Sequence, residues 1–416
     1  MPAPPRRATR RRLLLIGLNY DPEPLGIAPY TSAVAQALVG AGVAIDAIVA
    51  QPYYPTWRPW PGFGGWQRAR ENGVEVVRCP HYIPRDPNGI RRILHHVTFA
   101  LAALAPALSR ARRRPGAVLV IAPSLMAVPV GWLAARLSGA RLWIHVQDFE
   151  VEASFATGLI RERSVLAKLA LWVENRLLRS ADLASTISPK MVERLIAKGV
   201  AAERVRELRN WASGSFAAGD PSGGAYRREW GLGDRKVALY SGNIANKQGL
   251  EVVIDAARRL RHRDDLVFVI CGEGPNRARL MALADGLSNL QFHDLQPAER
   301  MGDLLALASM HLLPQIASAA DLVLPSKLTN MLASGRPIVA TAAKSSGLYD
   351  EVVGCGLAVP PGDGAAFAAA VAALADDPAR CAELGEAGRL RAGERWGREA
   401  LLSRFVAVAE AAMAVD

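Results

Sequence analysis

The stretch DLVLPSKLTNMLASGRPIVAT, from Asp321 to Thr341, predicts a short apolar helix between two strand-like segments. Ser326 is a residue type favoured at helix N-caps, so it marks where the helix begins. Gly335 and Pro337 mark where it ends, because glycine accepts the left-handed C-terminal position and proline cannot continue the helix. Ile338–Ala340 then predicts a strand. This order of elements is typical of an α/β fold, in which helices cover a mostly parallel sheet.

The start of this helix carries polar groups that suit an anion. The first-turn N–H groups of a helix have no intrahelical partner, and the helix dipole is positive at that end. Lys327 adds a full positive charge, and Asn330 lies on the same face as Ser326 and Lys327. Two interpretations remain: the three side chains bind one ligand together, or they belong to an ordinary capped helix whose lysine faces solvent.

Length and composition bound the architecture. A chain of 416 residues, 50% of them hydrophobic, is long enough for two α/β domains of roughly 200 residues each. The cysteines have no paired spacing, which favours a reducing cytosol; they are Cys79, Cys271, Cys355 and Cys381. The 7 histidines form no metal-binding motif, so we expect no metal and no cofactor.

Both halves of the chain alternate strand and helix signals. In the first half the predicted strands are Leu13–Gly17, Ile45–Val49, Val74–Arg78, Val118–Ala122, Leu142–Val146 and Ala184–Ile187, with helices at Tyr30–Leu38 and Val130–Leu137. In the second half they are Val237–Tyr240, Leu266–Cys271, Leu290–Phe292 and His311–Leu313, with helices at Leu250–Leu260, Arg277–Ala284 and Glu299–Ala308. The pattern predicts two Rossmann-like domains with mostly parallel sheets.

A small, polar, glycine-rich segment, Ala212–Gly224, has the composition of a linker between the two halves. We therefore expect an N-terminal domain over residues 1–215 and a C-terminal domain over residues 225–395. A last helix in residues 396–416, beginning at Trp396, is predicted to pack back on the first domain. Because ligands of open α/β sheets bind beyond the carboxyl ends of the strands, the two domains are expected to face a central cleft.

The net charge of +11 indicates an anionic partner. Arginines at 91–92, 110 and 112–114 flank the apolar run HHVTFALAALAPALS. We predict that this run, about a dozen residues long, is too short to span a bilayer but suited to lie on one. The alternative is a buried helix in an arginine-rich chain. Residues 117–135 are not predicted to cross a membrane, because Pro123 and Pro129 interrupt them. No nucleic-acid-binding motif accompanies the charge, and the arginine-rich amino terminus does not resemble a signal peptide.

Seven motifs in order extend over nearly the whole chain. They are GLNYDPEPLGIAPYTSAVAQAL (17–38), QPYYPTW (51–57), HVQDFEV (145–151), RNWAS (209–213), LYSGNIANKQGLE (239–251), CGEGP (271–275) and LPSKLTNMLASGRPIV (324–339). Together they resemble the retaining GT-B glycosyltransferases of family 4, in the exopolysaccharide and O-antigen branch close to the colanic acid fucosyltransferase type. The resemblance implies a GT-B fold and transfer of a sugar from a nucleotide-diphosphate donor with retention of anomeric configuration.

The donor site is predicted in the C-terminal domain. Ser241, Gly242 and Asn243 follow a strand where the backbone can approach a diphosphate closely. Lys247 and Lys327 are the predicted catalytic cations, since fixed positive charge stabilises the diphosphate as it leaves; an ordinary surface lysine is the alternative for Lys247. By resemblance, the remaining donor-binding residues are Gly272, Gly274, His293, Leu295, Leu324, Pro325, Ser326 and Asn330. The chain departs from the family at Asn243, where an arginine is usual, and at Asn330, where a glutamate usually holds the donor ribose.

In the N-terminal domain, Gly26 and Ile27 precede a helix and resemble the family's loop under the donor phosphates and the acceptor. His145 and Asp148 follow a predicted buried strand and are predicted catalytic groups. The histidine of the family's His-Asp pair would stand at Gln147, so a buried structural histidine is the alternative for His145.

The segment Tyr53–Trp66 is rich in aromatic residues, which marks a binding surface. Tyr53, Tyr54 and Trp57 are predicted to bind the acceptor, because aromatic faces stack on sugar rings. Trp and Tyr also suit a membrane interface. A polyprenol-diphosphate-linked saccharide would satisfy both properties.

The predicted function is a retaining glycosyltransferase that adds a hexose, deoxyhexose or N-acetylamino sugar to a growing, polyprenol-linked saccharide of the cell surface or an exopolysaccharide. The expected partners are the nucleotide sugar, this acceptor and an anionic membrane surface, with no nucleic acid. The expected location is the cytoplasm, on the inner face of the cytoplasmic membrane. Two alternatives share the architecture: an epimerase of nucleotide sugars that does not transfer, and a non-catalytic sugar-nucleotide-binding subunit.

Overall fold

The computed structural model describes residues 11–85, 89–123, 125–149, 164–211, 223–316 and 327–414. The chain divides into two compact units. The first contains the described residues up to Asn210 together with those from Glu399 onward, and the second runs from Trp211 to Arg398. Each unit is built on one mostly parallel sheet, which confirms the predicted α/β class.

The first sheet contains eight described strands in the order β3-β4-β2-β1-β5-β6-β7-β8. They are β1 (Arg12–Gly17), β2 (Ala44–Ala50), β3 (Gln67–Glu71), β4 (Val74–Cys79), β5 (Ala117–Ala122), β6 (Arg141–Val146), β7 (Leu183–Thr186) and β8 (Val205–Glu207). Neighbouring strands pair in parallel except β3 and β4, which are antiparallel. The apolar run AVLVIA of β5 is buried throughout, as expected for a central strand of a sheet that is covered on both faces.

The helices described in the first unit before its C-terminal element are α1 (Ala28–Gly40), α2 (Gly89–Ala111), α3 (Val128–Ser138), α4 (Val165–Arg179) and α5 (Pro189–Ala197). One prediction about α2 is wrong: the apolar run belongs to a helix of 23 residues, because Arg91, Arg92 and Arg110 are helical as well, whereas residues 112–114 lie beyond the helix. Residues Ile90–Ala111 are long and apolar enough to cross a membrane, a test that core helices of soluble proteins also pass. Phe99, Ala103 and Ala107 of α2 are buried in the core of this unit.

The second sheet contains six described strands in the order β11-β10-β9-β12-β13-β14, all parallel. They are β9 (Lys236–Ser241), β10 (Leu266–Cys271), β11 (Leu290–His293), β12 (Met310–Leu313), β13 (Ile338–Thr341) and β14 (Gly356–Val359). Each of the strands predicted for this half is found within a residue or two of its predicted bounds.

The helices described in the second unit are α6 (Gly224–Glu229), α7 (Glu251–Arg259), α8 (Arg277–Leu283), α9 (Met301–Leu307), α10 (Lys327–Ala333), α11 (Gly347–Val352), α12 (Gly364–Asp376) and α13 (Pro378–Trp396). Helix α10 is the one predicted in the stretch 321–341, and Gly335 beyond it has a left-handed φ of +70°. The predicted cap Ser326 lies outside the described residues. Gly224, which was assigned to the linker, is the first residue of α6, and the linker residues 212–222 also lie outside the described part.

The chain ends in α14 (Arg398–Met413), which packs on the first unit. It begins two residues later than predicted, because Trp396 ends α13 and is buried in a core of the second unit. Arg11 forms an ion pair with Glu410 at 2.7 Å, and the ring of Phe405 stacks on Trp143 of β6 with the centroids 6.3 Å apart. The last helix therefore covers part of one face of the first sheet.

Each sheet has a point where the strand order reverses. In the first sheet β1 has β2 on one side and β5 on the other. In the second sheet β9 lies between β10, which follows it in sequence, and β12. A crevice opens at such a point beyond the carboxyl ends of the strands, so the segments that follow β1, β5, β9 and β12 are the ones placed to bind a ligand.

Candidate active site

The reversal point of the second sheet brings Lys327 to the end of β9. Lys327 is the first residue of α10, the helix that follows β12. Its Nζ atom donates a hydrogen bond to the hydroxyl of Tyr240 at 2.8 Å and lies 4.1 Å from the centroid of the Tyr240 ring. The Tyr240 hydroxyl in turn donates to the carbonyl oxygen of Asn243 at 2.5 Å. Tyr240 thus connects the lysine to the loop after β9.

Burial raises the pKa of Tyr240 well above its usual value, so this phenol stays protonated and remains a donor. Its ring is fully buried in the strand, and only its hydroxyl reaches the carboxyl edge of the sheet. The ammonium of Lys327 is therefore held on a rigid support. Tyr240 was not predicted as a site residue, since an aromatic residue inside an apolar strand has the pattern of an ordinary core residue.

Gly242 provides the space that the lysine occupies. Its φ is +133°, a conformation that favours glycine, and a Cβ atom at this position would lie 2.8 Å from Nζ of Lys327. The structure therefore brings together two of the predicted donor-site residues, Gly242 and Lys327. Ser241, the last residue of β9, lies directly beside them and is nearly buried.

Gly272 and Gly274 let the loop after β10 pack against the loop after β9. A Cβ atom at Gly272 would overlap the carbonyl oxygen of Gly242, and one at Gly274 would overlap that of Ile244. The backbone N–H groups of Gly242 and Ile244 also donate hydrogen bonds to the carbonyl oxygens of Cys271 at 2.9 Å and Glu273 at 2.8 Å. The glycines of the CGEGP motif are thus required for the shape of the site, whatever they contact in a ligand.

Asn243 and Asn330, the two departures from the family pattern, are both at this edge. The backbone carbonyl of Asn243 accepts the bond from Tyr240. The Oδ1 atom of Asn330 is buried and has no hydrogen-bond partner among the residues that the structure describes. A buried acceptor of this kind costs free energy unless a donor reaches it. The backbone of Lys247 forms part of a short 3₁₀ turn, Asn246–Gln248, but its side chain lies outside the described part, as do Leu324, Pro325 and Ser326.

His293 at the end of β11 is stacked on Trp230, with the ring centroids 3.8 Å apart and the planes 10° from parallel. Its Nε2 atom lies 3.0 Å from Oε1 of Gln291, and burial lowers its pKa. One face of His293 is therefore covered by Trp230, which was not predicted as a site residue. Leu295, by contrast, is exposed.

In the first unit, the loop after β1 is held by a buried carboxylate. Oε1 of Glu23 accepts hydrogen bonds from the backbone N–H groups of Tyr53 and Tyr54, each at 2.8 Å, and Oε2 accepts from Asn19 at 2.8 Å. Desolvation nevertheless raises the pKa of Glu23. This clamp was missed in the sequence, where Glu23 stands between two prolines as an ordinary loop residue.

The clamp positions Gly26 against the aromatic segment. Gly26 has a left-handed φ of +72°, and a Cβ atom there would lie 3.4 Å from the ring of Tyr54. Ile27, the next residue, directly precedes α1. Tyr54 and Trp57 are half-buried and present part of their rings to solvent. These features suit the loop to a ligand at the carboxyl end of β1.

The structure corrects the role of Tyr53. Only 4% of this residue is exposed, so its faces are not available to a sugar. Its ring packs against Trp57 at 5.1 Å, against His81 at 5.5 Å and against His95 at 4.6 Å between centroids. The aromatic enrichment at this point therefore serves packing between the loop and α2, which carries His95.

His145 is also a packing residue. It lies within β6, is 1% exposed and contacts the ring of Phe405 in α14. Its Nδ1 atom lies 2.8 Å from the hydroxyl of Ser185, its Nε2 atom lies 3.0 Å from the amide of Gln147, and burial lowers its pKa to about 3. A neutral imidazole enclosed in this way cannot touch a substrate, so His145 is a buried structural histidine rather than a catalytic group.

Gln147 directly follows the last residue of β6. Its side-chain amide and that of Asn210 exchange two hydrogen bonds, at 3.0 and 2.7 Å. Asp148, the next residue, is half-buried, and its predicted catalytic role stays a prediction. The residues of the HVQDFEV and RNWAS motifs thus meet at the carboxyl edge of the first sheet.

Two family models match the chain. The model described as Glycosyl transferase 4-like domain matches residues 26–211, and the model described as Glycosyl transferases group 1 matches residues 235–377. The putative colanic acid biosynthesis glycosyl transferase WcaI of Escherichia coli (strain K12) is 42% identical over 339 residues, which are 80% of this chain and 83% of that protein.

Solved structures of low sequence identity share the fold. Sucrose-phosphate synthase from Thermosynechococcus elongatus matches with a TM-score of 0.71 at 21% identity, over 96% of this chain and 98% of that one. Anabaena HepE in complex with UDP matches with a TM-score of 0.69 at 14% identity, over 95% of this chain and 99% of that one.

Proposed function

Because this chain belongs to the GT-B glycosyltransferases that combine a glycosyl transferase 4-like domain with a group 1 domain, we propose that it transfers a sugar from a nucleotide-diphosphate donor with retention of configuration. The proposed acceptor is a growing, polyprenol-linked saccharide of the cell surface or an exopolysaccharide. The biosynthetic context rests on the 42% identity to WcaI, whose name refers to colanic acid. No metal takes part in the proposed reaction.

The position of Lys327 beside Gly242 carries the proposal for the donor. During transfer the bond between the anomeric carbon and the diphosphate oxygen breaks, and negative charge develops on the leaving group. An ammonium held by Tyr240 at the carboxyl edge of the sheet would stabilise that charge without having to reorganise. Gly242 would let the diphosphate approach the backbone closely, since it carries no side chain.

Asn330 supports the same donor. Its buried Oδ1 atom is an acceptor at the position where the family pattern has a ribose-binding glutamate. A ribose hydroxyl would supply the missing donor hydrogen. HepE, a structural neighbour, is described in complex with UDP, which belongs to the ligand class proposed for this chain.

The test combines a donor panel with a lysine variant. The full chain is incubated with UDP- and GDP-sugars, with and without lipid-linked acceptor, and the anomeric configuration of the product is read by NMR. Removing one such stabilising group is expected to lower kcat by on the order of 10²–10³ in Lys327→Met, with donor affinity changed much less. Lys236→Met is the matched control, because Lys236 lies at the opposite end of β9 in an exposed pair with Asp265.

Equal turnover of Lys327→Met and Lys236→Met would refute the role of Lys327. Product of inverted configuration would refute retention. Conversion of the donor sugar without acceptor would identify an epimerase.

Helix α2 supports a location on the inner face of the cytoplasmic membrane. Its exposed apolar residues, Ile90, Leu94 and Leu101, recur on one side of the helix. Arg91 and Arg92 are exposed in the same first turn as Ile90. An apolar stripe with cationic residues suits an anionic bilayer surface. Each basic residue near such a surface adds about 1 kcal/mol of attraction.

Flotation with vesicles of phosphatidylglycerol tests this location. The variant Arg91→Glu/Arg92→Glu is expected to float much less than the wild type. The control Arg258→Glu/Arg261→Glu makes the same charge change on the second unit and is expected to float normally. Equal flotation of both variants would contradict the role of α2.

A further inference from the structure

A pocket of about 420 Å³ lies at the amino edge of the first sheet, away from the carboxyl ends where the candidate active site is built. Arg12 begins β1, Ala44 begins β2, and Glu75 lies at the start of β4. Its wall includes Arg12, Gly42, Ala44, Arg70, Glu75 and Arg113. The volume is within the range of about 300–1,000 Å³ that is usual for small-molecule sites.

Behind this wall, three arginines share one buried carboxylate. Asp46 accepts from Arg12 at 2.8 Å and from Arg113 at 2.6 Å, and Nε of Arg110 lies 3.6 Å from it. The side chain of Asp46 is 3% exposed, so one guanidinium would be enough to compensate its charge. Three guanidinium groups carry more positive charge than the single carboxylate of Asp46 can neutralise. The arrangement therefore concentrates positive charge beyond what the fold requires.

The remaining charges at the pocket do not cancel this excess. Arg70 and Glu75 face each other at 3.9 Å, with side chains 73% and 47% exposed. The Nε atom of Arg110 is buried without a hydrogen-bond partner among the described residues, and its pKa is lowered by burial and then by Arg113. An anion in the pocket would reduce the repulsion between these arginines.

We propose that this pocket is a second anion site, which binds a phosphate monoester or diphosphate group and is separate from the donor site. Planar guanidinium groups match phosphate oxygens in pairs of hydrogen bonds, which a single lysine cannot do. The ligand is either a soluble phosphate compound or the head group of an anionic lipid. This site does not depend on the sugar-transfer proposal.

The experiment uses two exposed residues of the wall, which leaves the Asp46 group intact. Pyrophosphate is titrated calorimetrically at constant ionic strength into the full chain, and Kd is compared between wall variants that all keep the same donor site. Arg70→Glu is expected to raise Kd about tenfold, because it removes a charge-assisted contact. Glu75→Gln is expected to lower Kd about threefold, since it removes a repelling carboxylate. Arg206→Glu makes the same charge change at an exposed position on β8 and is expected to leave Kd unchanged.

A second arm distinguishes the sources of the phosphate. The same wall variants are floated with phosphatidylglycerol vesicles and with phosphatidylcholine vesicles. If the wall variants change the Kd for pyrophosphate, the ligand is a soluble phosphate compound. If they change only flotation with phosphatidylglycerol vesicles, the ligand is a lipid head group. Equal effects of Arg70→Glu and Arg206→Glu in both arms, or no effect of Arg70→Glu in either, would overturn the proposal. Failure of sugar transfer would leave this result unaffected.

Discussion

Tyr240→Phe is the sharpest test of how the proposed donor site is built. The substitution keeps the buried ring and removes only the hydroxyl, which joins Nζ of Lys327 at 2.8 Å to the carbonyl oxygen of Asn243 at 2.5 Å. A hydrogen bond to a charged group contributes about 1.5–3 kcal/mol. If that free energy positions the ammonium for the transition state, kcat/KM is expected to fall by roughly 10- to 150-fold, because about 1.4 kcal/mol corresponds to a factor of ten.

The same change has a separate effect on stability. The carbonyl of Asn243 loses its donor, and a hydrogen bond of this kind contributes about 0.5–1.5 kcal/mol to stability. Thermal unfolding of the second unit is therefore expected at a Tm lower by about 2–4 °C for each kcal/mol. Activity must be assayed well below this Tm, so that loss of turnover is not a loss of folded protein.

A double-mutant cycle separates positioning from packing. If Tyr240 acts through Lys327, the variant Tyr240→Phe/Lys327→Met should turn over no more slowly than Lys327→Met alone. Steady-state kinetics of the four proteins with one donor and acceptor give the coupling free energy. Additive losses, or a Tyr240→Phe enzyme within about twofold of wild type, would refute the reasoning.

Two further predictions concern a glycine and a group of histidines. Gly242→Ala should lower kcat about as far as Lys327→Met, because the new methyl group would displace Nζ; wild-type kinetics would contradict this. Burial lowers the pKa of His81 to about 3, of His95 to about 4 and of His96 to about 3, so the free energy of unfolding should be constant above pH 6.5 and fall toward pH 4. The free energy of unfolding, measured by urea titration at each pH, should fall less steeply with pH in His81→Phe than in the wild type. The difference in slope should be at most about 1.4 kcal/mol per pH unit, and an unchanged slope would contradict the assignment.

Most of the fold was predictable because buried parallel strands are continuous apolar runs. β1 and β9 were found within one residue of their ends for this reason. Strand β3 was not predicted, because its sequence QRARE is charged and mostly exposed. A signal was nevertheless present: Asn72 and Gly73, both with positive φ, form the Asn-Gly turn that is typical of a hairpin between β3 and β4.

The parts of the candidate site that follow from the order of strands along the chain were predictable. The parts that depend on contacts between distant side chains were less so. The contact between Lys327 and Gly242 follows from two loops at one reversal point of a sheet, which the strand order already implies. The stacking of Trp230 on His293 could not be foreseen, because the two residues are far apart in the sequence. The family assignment and the enzyme class are confirmed by the matching family models and by WcaI.

The aromatic composition of residues 53–66 gave a wrong prediction for Tyr53, and the side chains that surround Tyr53 explain the error. An aromatic cluster in sequence indicates a binding surface only if nothing in the fold covers it. Here His81 and His95 lie on other segments and enclose the Tyr53 ring. The other aromatic residues of the segment are half-buried, except Trp66, which is exposed. The segment therefore retains a candidate acceptor surface, but a smaller one than the six aromatic residues suggest.

The polar groups of the two units differ in a way that divides the chemistry between them. In the first unit, Glu23, His145 and Gln147 are buried and bonded to neighbours in the same unit, so they set the shape of the loops after β1 and β6. In the second unit, Lys327 and the buried Oδ1 atom of Asn330 lie at the strand ends beside glycines that leave the backbone accessible. In the proposed transfer, the ammonium of Lys327 would stabilise the charge that develops on a leaving diphosphate, and Oδ1 of Asn330 would accept a hydrogen bond from a ribose hydroxyl. The buried groups of the first set are placed for neither role. Variants of the first set should therefore change acceptor affinity and stability, whereas variants of the second should change turnover.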